Sequence, residues 1–492
     1  MASASASTYG LLIGGHEIPA GGGTTQPILD PTSNRPFAEA AAGRRDDARH
    51  AMEVAEAAFR GSGWAGDDGA KRSKALVRLA HLLEEAQEAF ALLETRNMGK
   101  TLRESRFDIG FVVRTLEYVA GLADKIQGET IPVPGSRLDY TTREPLGVTV
   151  HIAPWNYPLL LAIRSVAPAL AAGNAVVLKP ASLTPLTAVA LARLASKAGI
   201  PDGILNVVTG PGGEVGEALI GDPRCASVSF TGSLDVGRKI AEAAARRLVP
   251  ATLELGGKSP VIVFPDADLD RAARAVGFGI FGNAGQMCWA ASRLIVHESV
   301  RRPFLDRLKQ IAEATRLGPG TEETSEMGPV VSREHADRIL EYVATATADG
   351  GTVVAGGHRP ADPKLAEGNY VLPTVIDAVP ASSRAMREEI FGPVLASTGF
   401  TDVDEAVRAA NDTRFGLFAA LWTRDLATAH HVARRLEAGM VAINESPTTF
   451  PQTPFGGFKE SGLGFEQGVR SLEPYSRRKN VLLNIALPKK KA

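Results

Sequence analysis

The residues of this chain best suited to covalent chemistry are one thiol and one carboxylate. Cys288 closes Gly285-Gln286-Met287-Cys288, 34 positions after Glu254 in Glu254-Leu255-Gly256-Gly257-Lys258. A thiol preceded by small, flexible residues is a candidate nucleophile, and a carboxylate held against two glycines is a candidate general base. A thiolate that attacks a carbonyl carbon gives a thiohemiacetal. Loss of hydride turns that adduct into a thioester, and a base-activated water then releases the acid. One thiol, one carboxylate and a nicotinamide suffice for this sequence. The rest of the chain must then supply a cofactor site and donors for the oxyanion.

The elements that would position these groups need more than one core. A chain of 492 residues is too long for a single small domain. Hydrophobic content of 44% and charged content of 22% are ordinary for a globular protein. A net charge of -1 favours neither nucleic acid nor an anionic membrane. The only cysteines are Cys225 and Cys288, too few for a secreted disulfide framework, so a reducing cytoplasm is expected. Cys225, before an apolar strand, reads as buried filler. The Ser/Ala-rich start lacks the basic and apolar regions of a signal peptide and reads as a leader. Lys489-Lys490-Lys491 reads as a solvated end. Leu159 to Leu178 is apolar but broken by Arg164, Pro168 and Asn174, which argues against a membrane span. His430-His431 lies in a charged helical context, and no histidine pattern calls for a metal.

Short β-branched runs alternate with helical patterns, the signature of an α/β chain with parallel sheets. Strands are expected at Val148–Ile152, Ala175–Leu178, Ile204–Val208 and Ser227–Phe230, with Thr252–Leu255 and Val261–Phe264 closing this first set. A second set begins near Ala267, with helices at Glu334–Ala346, Asp404–Asn411 and Ala427–Glu437, a strand at Thr352–Ala355 and extended chain from Tyr370 to Val379. A long helical region precedes both, from Asp46 past Gln87. Gly128 to Arg143 reads as a hairpin outside the main sheet, and Asn480 to Ile485 as a strand with no obvious partner. Unpaired strand edges find partners, so these strands are expected to mediate oligomerisation.

Three further stretches bear on a cofactor. Phe230-Thr231-Gly232-Ser233 runs from a strand end into a helix start, with Gly237 further on. A helix N-terminus offers free N–H groups and a positive dipole end to a phosphate. The spacing differs from the dinucleotide fingerprint, and an ordinary strand-to-helix turn has the same form. Lys179-Pro180-Ala181-Ser182 puts a lysine at the carboxyl end of a strand, where such sheets bind ligands. In Glu389-Ile390-Phe391-Gly392-Pro393, the carboxylate can bind ribose hydroxyls and the ring can pack on a nicotinamide.

Together with Pro154-Trp155-Asn156-Tyr157-Pro158 and Pro454-Phe455-Gly456-Gly457-Phe458-Lys459-Glu460-Ser461-Gly462, these motifs resemble the aldehyde dehydrogenase superfamily over nearly the whole chain. The resemblance implies a Rossmann-like cofactor domain (1–124 and 144–253), an α/β catalytic domain (254–442) and a small β oligomerisation flap (125–143 and 472–492). Residues 443–471 would close the substrate tunnel. It implies a non-acylating enzyme that turns an aldehyde into an acid with NAD or NADP, and a homodimer or homotetramer. By the same likeness Cys288 is the nucleophile, Glu254 the base, and Asn156 an oxyanion donor beside the Cys288 backbone N–H. Such an amide contributes about 3 kcal/mol of barrier lowering. Lys179 and Ser182 would hold the adenosine ribose, Ser233 a phosphate, and Glu389 the nicotinamide ribose. Ala153, Pro154, Trp155, Phe230, Thr231, Gly232, Gly237, Leu255, Gly256 and Phe391 would complete the cofactor site.

Departures from the family pattern bear on specificity. Ser182 stands where many NAD-preferring members carry a carboxylate that repels a 2′-phosphate, so NADP should be tolerated alongside NAD. Trp289 puts an indole directly after the nucleophile, to narrow the tunnel or stack on substrate. Arg164 is either a clamp for a substrate carboxylate, as in a succinate-semialdehyde enzyme, or half of a structural salt bridge. Gly282 offers no second arginine. Ser165 replaces a lysine and Phe465 an arginine of several relatives, which weakens a proton relay through Glu466. The expected substrate walls are Tyr157, Leu161, Arg164, Trp289, Thr449, Phe450 and Phe455. They favour an aromatic or medium-chain apolar aldehyde over betaine aldehyde. A CoA-acylating enzyme would not need Glu254, and a non-catalytic relative would not need Cys288 or Asn156.

Overall fold

The computed structural model describes residues 7–66 and 68–486. The Ser/Ala leader up to Ala6 and the lysine tail lie outside them.

Two sheets organise the described residues. The first runs Gly462–Leu463, Ala251–Glu254, Cys225–Thr231, Val148–Ile152, Ala175–Lys179, Leu205–Val207, Leu11–Ile13 and His16–Ile18. Its five central strands are parallel, and the outer ones pair antiparallel. The second runs Thr352–Ala355, Thr374–Asp377, Val394–Phe400, Arg293–His297, Pro260–Val263, Phe418–Trp422 and Met440–Ile443. All of its pairs are parallel except the first. Parallel strands covered on both faces read as unbroken apolar runs. Phe418–Trp422 does so throughout and Ala175–Lys179 up to its terminal lysine, and every residue in them is buried.

Helices Arg45–Gly61, Gly69–Glu85, Leu102–Ala120 and Pro158–Ala171 pack in one core with the first sheet. Pro158–Ala171 is buried almost all round, so its run of Leu, Ala, Ile and Val serves a helix inside the protein, not one in lipid. Among the described residues no helix is long and apolar enough to cross a membrane. Pro158 opens this helix, where its missing N–H costs nothing.

One strand sits elsewhere than its sequence neighbours implied. Val261–Phe264 was expected to close the first set, yet Pro260–Val263 lies at the heart of the second sheet. The cause is the turn Gly256-Gly257, which carries the chain from one sheet to the other. A side chain on Gly257 would meet the Cys288 carbonyl oxygen at 2.3 Å, so only glycine allows this approach. The helix expected over Ala427–Glu437 stops at Ala433. The Asn411 amide binds the backbone of Arg435 and Glu437, which diverts the chain there. Of the extended stretch from Tyr370 to Val379, Thr374–Asp377 joins the sheet.

The hairpin strands Thr130–Ile131 and Arg137–Pro145 stand apart from both sheets, and Ser476–Asn484 supplies their third strand. The C-terminal strand thus finds its partner in its own chain, paired antiparallel from Ser476 against Pro145 to Asn484 against Arg137. The segment after Ile443 also joins the fold. Gly462–Leu463 pairs with Ala251–Glu254, and Phe458–Lys459 with Phe415–Gly416.

Candidate active site

Ile152, Lys179, Thr231 and Glu254 are the last residues of four neighbouring parallel strands. The loops that follow them therefore leave from one edge of the first sheet. Strand order reverses at Val148–Ile152, which has Ala175–Lys179 on one side and Cys225–Thr231 on the other. Open α/β sheets bind ligands at such a reversal.

Ser233 caps helix Leu234–Arg247 without a side-chain capping bond, so the first-turn N–H groups stay open to an anion. A side chain on Gly237 would come within 2.5 Å of Leu255, which explains how closely this helix approaches the turn after Glu254. A side chain on Gly232 would likewise come within 2.4 Å of the Phe230 ring. The Ala153 N–H donates to the Lys179 carbonyl at 3.1 Å. Lys179 is buried, donates to the Pro180 carbonyl at 2.9 Å, and burial lowers its pKa to about 8. Ser182 donates its hydroxyl to the Gly210 carbonyl at 2.7 Å.

The second sheet sends Glu389 and Phe391 to the same place. Glu389 accepts from the Gly257 N–H at 2.9 Å, and burial raises its pKa to about 7. Phe391 lies edge-on to Trp155, with centroids 5.2 Å apart. His335 donates to the Phe391 carbonyl at 2.7 Å and also meets Trp155.

The loop before Cys288 is wound tightly. Asn283, Ala284 and Gly285 take φ of 48°, 50° and 72°, in the left-handed region. A side chain on Gly285 would strike the Gly392 carbonyl oxygen at 2.0 Å. Side chains hold the wound loop in place. Glu104 accepts from the Asn283 N–H at 2.7 Å, and Gln286 accepts from the Val331 N–H at 2.9 Å. Asn156 donates to the Gln286 carbonyl at 2.9 Å, and Asn283 donates to the Asn156 carbonyl at 3.1 Å. An amide nitrogen carries two hydrogens, so Asn156 keeps one free beside the Cys288 loop.

Cys288 is half-buried. Burial pushes its thiol up to about 12, the Arg164 guanidinium opposes this, and Glu389 and Glu254 add to it. Glu254 is almost fully buried, and neither carboxylate oxygen has a hydrogen-bond partner. Burial holds its pKa well above the usual carboxylate range, Arg164 pulls it down, and Glu466 pushes it up.

Arg164 pairs through Nε with Glu466 and lies 4.3 Å over the Phe455 ring. The salt-bridge alternative for Arg164 is therefore formed. Trp289 meets Phe455 and Phe418 edge-on, at 5.5 and 6.2 Å. Leu161 and Phe455 are buried, whereas Phe450 is 56% exposed. Tyr157 carries the Lys100 ammonium 3.9 Å above its ring, and Thr449 donates to Gln467 at 3.1 Å.

Several contributors escaped the sequence reading. Ser461 donates to the Gly256 carbonyl at 2.7 Å and accepts from the Gly416 N–H at 2.9 Å, pinning the turn after Glu254 between the sheets. Its place in the Phe458-to-Gly462 motif was the available signal. Glu104, Phe418 and His335 carried no signal, because their partners lie far away in sequence.

The profile of the aldehyde dehydrogenase family matches residues 18–481. The chain is 42% identical over 475 residues to a hydroxyisobutyraldehyde dehydrogenase of Mycolicibacterium austroafricanum, covering 96% of this chain and 94% of that one. It is 42% identical over 482 residues to a phenylacetaldehyde dehydrogenase of Pseudomonas fluorescens, covering 96% and 95%. Its fold is similar to the crystal structure of a betaine aldehyde dehydrogenase from Staphylococcus aureus in complex with NAD+, with a TM-score of 0.96, 38% identity and coverage of 98% and 96%.

Proposed function

This chain belongs to the aldehyde dehydrogenase family, and from that premise we propose that it oxidises an uncharged aromatic or medium-chain apolar aldehyde to the carboxylic acid. The observation that carries the acid-forming reading is Glu254. A buried carboxylate with two unpartnered oxygens, in the same site as a thiol, is a base awaiting a proton.

Cys288 attacks the aldehyde carbon through its sulfur. The spare Asn156 hydrogen and the Cys288 backbone N–H receive the oxyanion. After hydride loss the thioester stays on Cys288 until Glu254 takes a proton from water. A CoA-resolved reaction would leave Glu254 without a task.

The crevice residues fit a dinucleotide. Ser233 and the open helix start suit a phosphate, Lys179 and Ser182 the adenosine ribose, and Glu389 the nicotinamide ribose, with Trp155 and Phe391 as walls. Bound NAD supplies the hydride acceptor. Ser182 brings no negative charge to a 2′-phosphate, so NADP is also accepted. The Staphylococcus aureus neighbour's complex with NAD+ supports the first of these uses.

The substrate reading rests on the Trp289–Phe455–Phe418 cluster and on Arg164, whose Nε is committed to Glu466. An aromatic wall whose arginine is charge-paired with Glu466 favours an uncharged aldehyde. The phenylacetaldehyde dehydrogenase relative is consistent with it. The flap, with Leu482 and Ile485 exposed, supports a homodimer or homotetramer.

The test is reduced-cofactor formation with benzaldehyde, phenylacetaldehyde, hexanal, succinate semialdehyde and betaine aldehyde, each with NAD and NADP. The expected kcat/KM for the aromatic or six-carbon aldehydes exceeds that for the two charged ones by about tenfold or more. A preference for succinate semialdehyde would make Arg164 a carboxylate anchor and overturn the substrate reading.

A further inference from the structure

Glu254 and Arg164 each keep an unused hydrogen-bonding edge inside the protein. Both Glu254 oxygens and Arg164 Nη2 are buried without partners. The rest of Arg164 is immobilised. Its Nε pairs with Glu466, and its guanidinium lies on the Phe455 face. Phe455 and Glu466 are tied to each other by reciprocal backbone bonds of 2.8 and 2.7 Å. Ser229 fixes the other Glu466 oxygen at 3.1 Å. The guanidinium is thus clamped on two sides, with its remaining edge free, and Ser229, which holds Glu466, pairs across the sheet with Thr252, two residues before Glu254 and on the same face of that strand.

We propose that Arg164 is the positioning residue of thioester hydrolysis: clamped by Glu466 and Phe455, it offers Nη2 to Glu254 and is the counter-cation of the base. This rests on the reading of Glu254 as the base. In the step concerned, a water O–H bond breaks and its proton goes to the Glu254 carboxylate. The water oxygen bonds the thioester carbon, the C–S bond breaks, and Cys288 leaves as thiolate with the bonding pair. Arg164 transfers no proton.

The charges around Glu254 give this role a sign. Arg164 comes from helix Pro158–Ala171, Glu466 and Tyr475 from the C-terminal segment, and Cys288 from the nucleophile loop. Glu389 faces Cys288 from the second sheet. Strand Cys225–Thr231 contributes the neutral Ser229. His151 stacks behind Tyr475, and burial lowers its pKa to about 3, so it is uncharged near neutral pH. Among these groups Arg164 is the one cation, set against Glu466. Removing Arg164 must raise the pH at which Glu254 becomes a base, and removing the Glu466 charge must lower it.

The experiment uses the full chain with benzaldehyde and NAD. The burst of reduced cofactor and the steady-state rate after it are measured across pH for wild type, Glu254→Gln, Arg164→Met, Arg164→Lys and Glu466→Gln. Wild type and Glu254→Gln come first. A wild-type acidic limb that survives in Glu254→Gln removes the base assignment, and this proposal falls with it. With that limb assigned, the expected result is an upward shift of about one pH unit or more in Arg164→Met and a downward shift in Glu466→Gln. Arg164→Lys should return the limb towards wild type. A rate loss at every pH with the limb unmoved would make Arg164 merely structural and overturn the proposal, leaving Glu254 as the base. If Arg164→Met does not fold, Arg164→Gln, which keeps a donor but not the charge, decides: a raised limb supports the proposal, and an unmoved one overturns it.

Discussion

In the proposed cofactor site, Ser182 is the side chain on which the choice between NAD and NADP turns. Its hydroxyl is turned to the Gly210 carbonyl, and it sits three residues after Lys179. A carboxylate there would face a 2′-phosphate at short range. Ser182→Glu is therefore expected to move the NAD/NADP ratio of kcat/KM towards NAD by about tenfold or more, roughly 1.4 kcal/mol. An unchanged ratio would remove Ser182 from the adenosine site. At this scale the sequence was readable where residue type alone carries chemistry. A single thiol beside a flexible run and a carboxylate beside two glycines announce themselves. Arg164 did not, because its partner Glu466 lies 302 residues away, and a salt bridge and a substrate clamp look alike in one dimension.

The loop before Cys288 is the element on which the proposed site depends most. Asn283, Ala284 and Gly285 hold three successive left-handed conformations, paid for by bonds from Glu104, Gln286 and Asn156. Gly285→Ala adds a clash with the Gly392 carbonyl and a strained φ. It is expected to cost about 1–3 kcal/mol of stability and to lower kcat/KM by displacing Cys288. Gly61→Ala, at a helix end with nothing within 4 Å, should leave both unchanged. Thermal melts and steady-state rates on both variants check this, and equal behaviour would mean that the loop tolerates a side chain. Most strands and helices were legible from periodicity, but the N-terminal strands were passed over. Gly14-Gly15, with φ of 64° and 79°, form the two-residue turn between Leu11–Ile13 and His16–Ile18. That is a hairpin signal the sequence does contain. The stop at Ala433 was not legible, because it comes from Asn411 on another helix.

At the scale of the whole molecule, the site exists because two sheets share one turn. Gly256-Gly257 carries the chain from the strand ending at Glu254 to the strand starting at Pro260, and Ser461 and Glu389 bind that turn from opposite sides. The alternation of elements made an α/β fold readable. The division between the sheets was not, because the strands on either side of the turn are close in sequence and both buried. The flap had the same difficulty: a C-terminal strand pairs with a hairpin more than 300 residues earlier, and pattern alone does not match such partners. The central claim is that Cys288 and Glu254 act in succession, one to form the thioester and the other to release it. Rapid mixing of Glu254→Gln with benzaldehyde and NAD tests it most directly. The account predicts a burst of about one reduced cofactor per chain followed by slow turnover, and no burst in Cys288→Ala. A first turnover in Glu254→Gln as slow as those that follow, or a burst from Cys288→Ala, would contradict it.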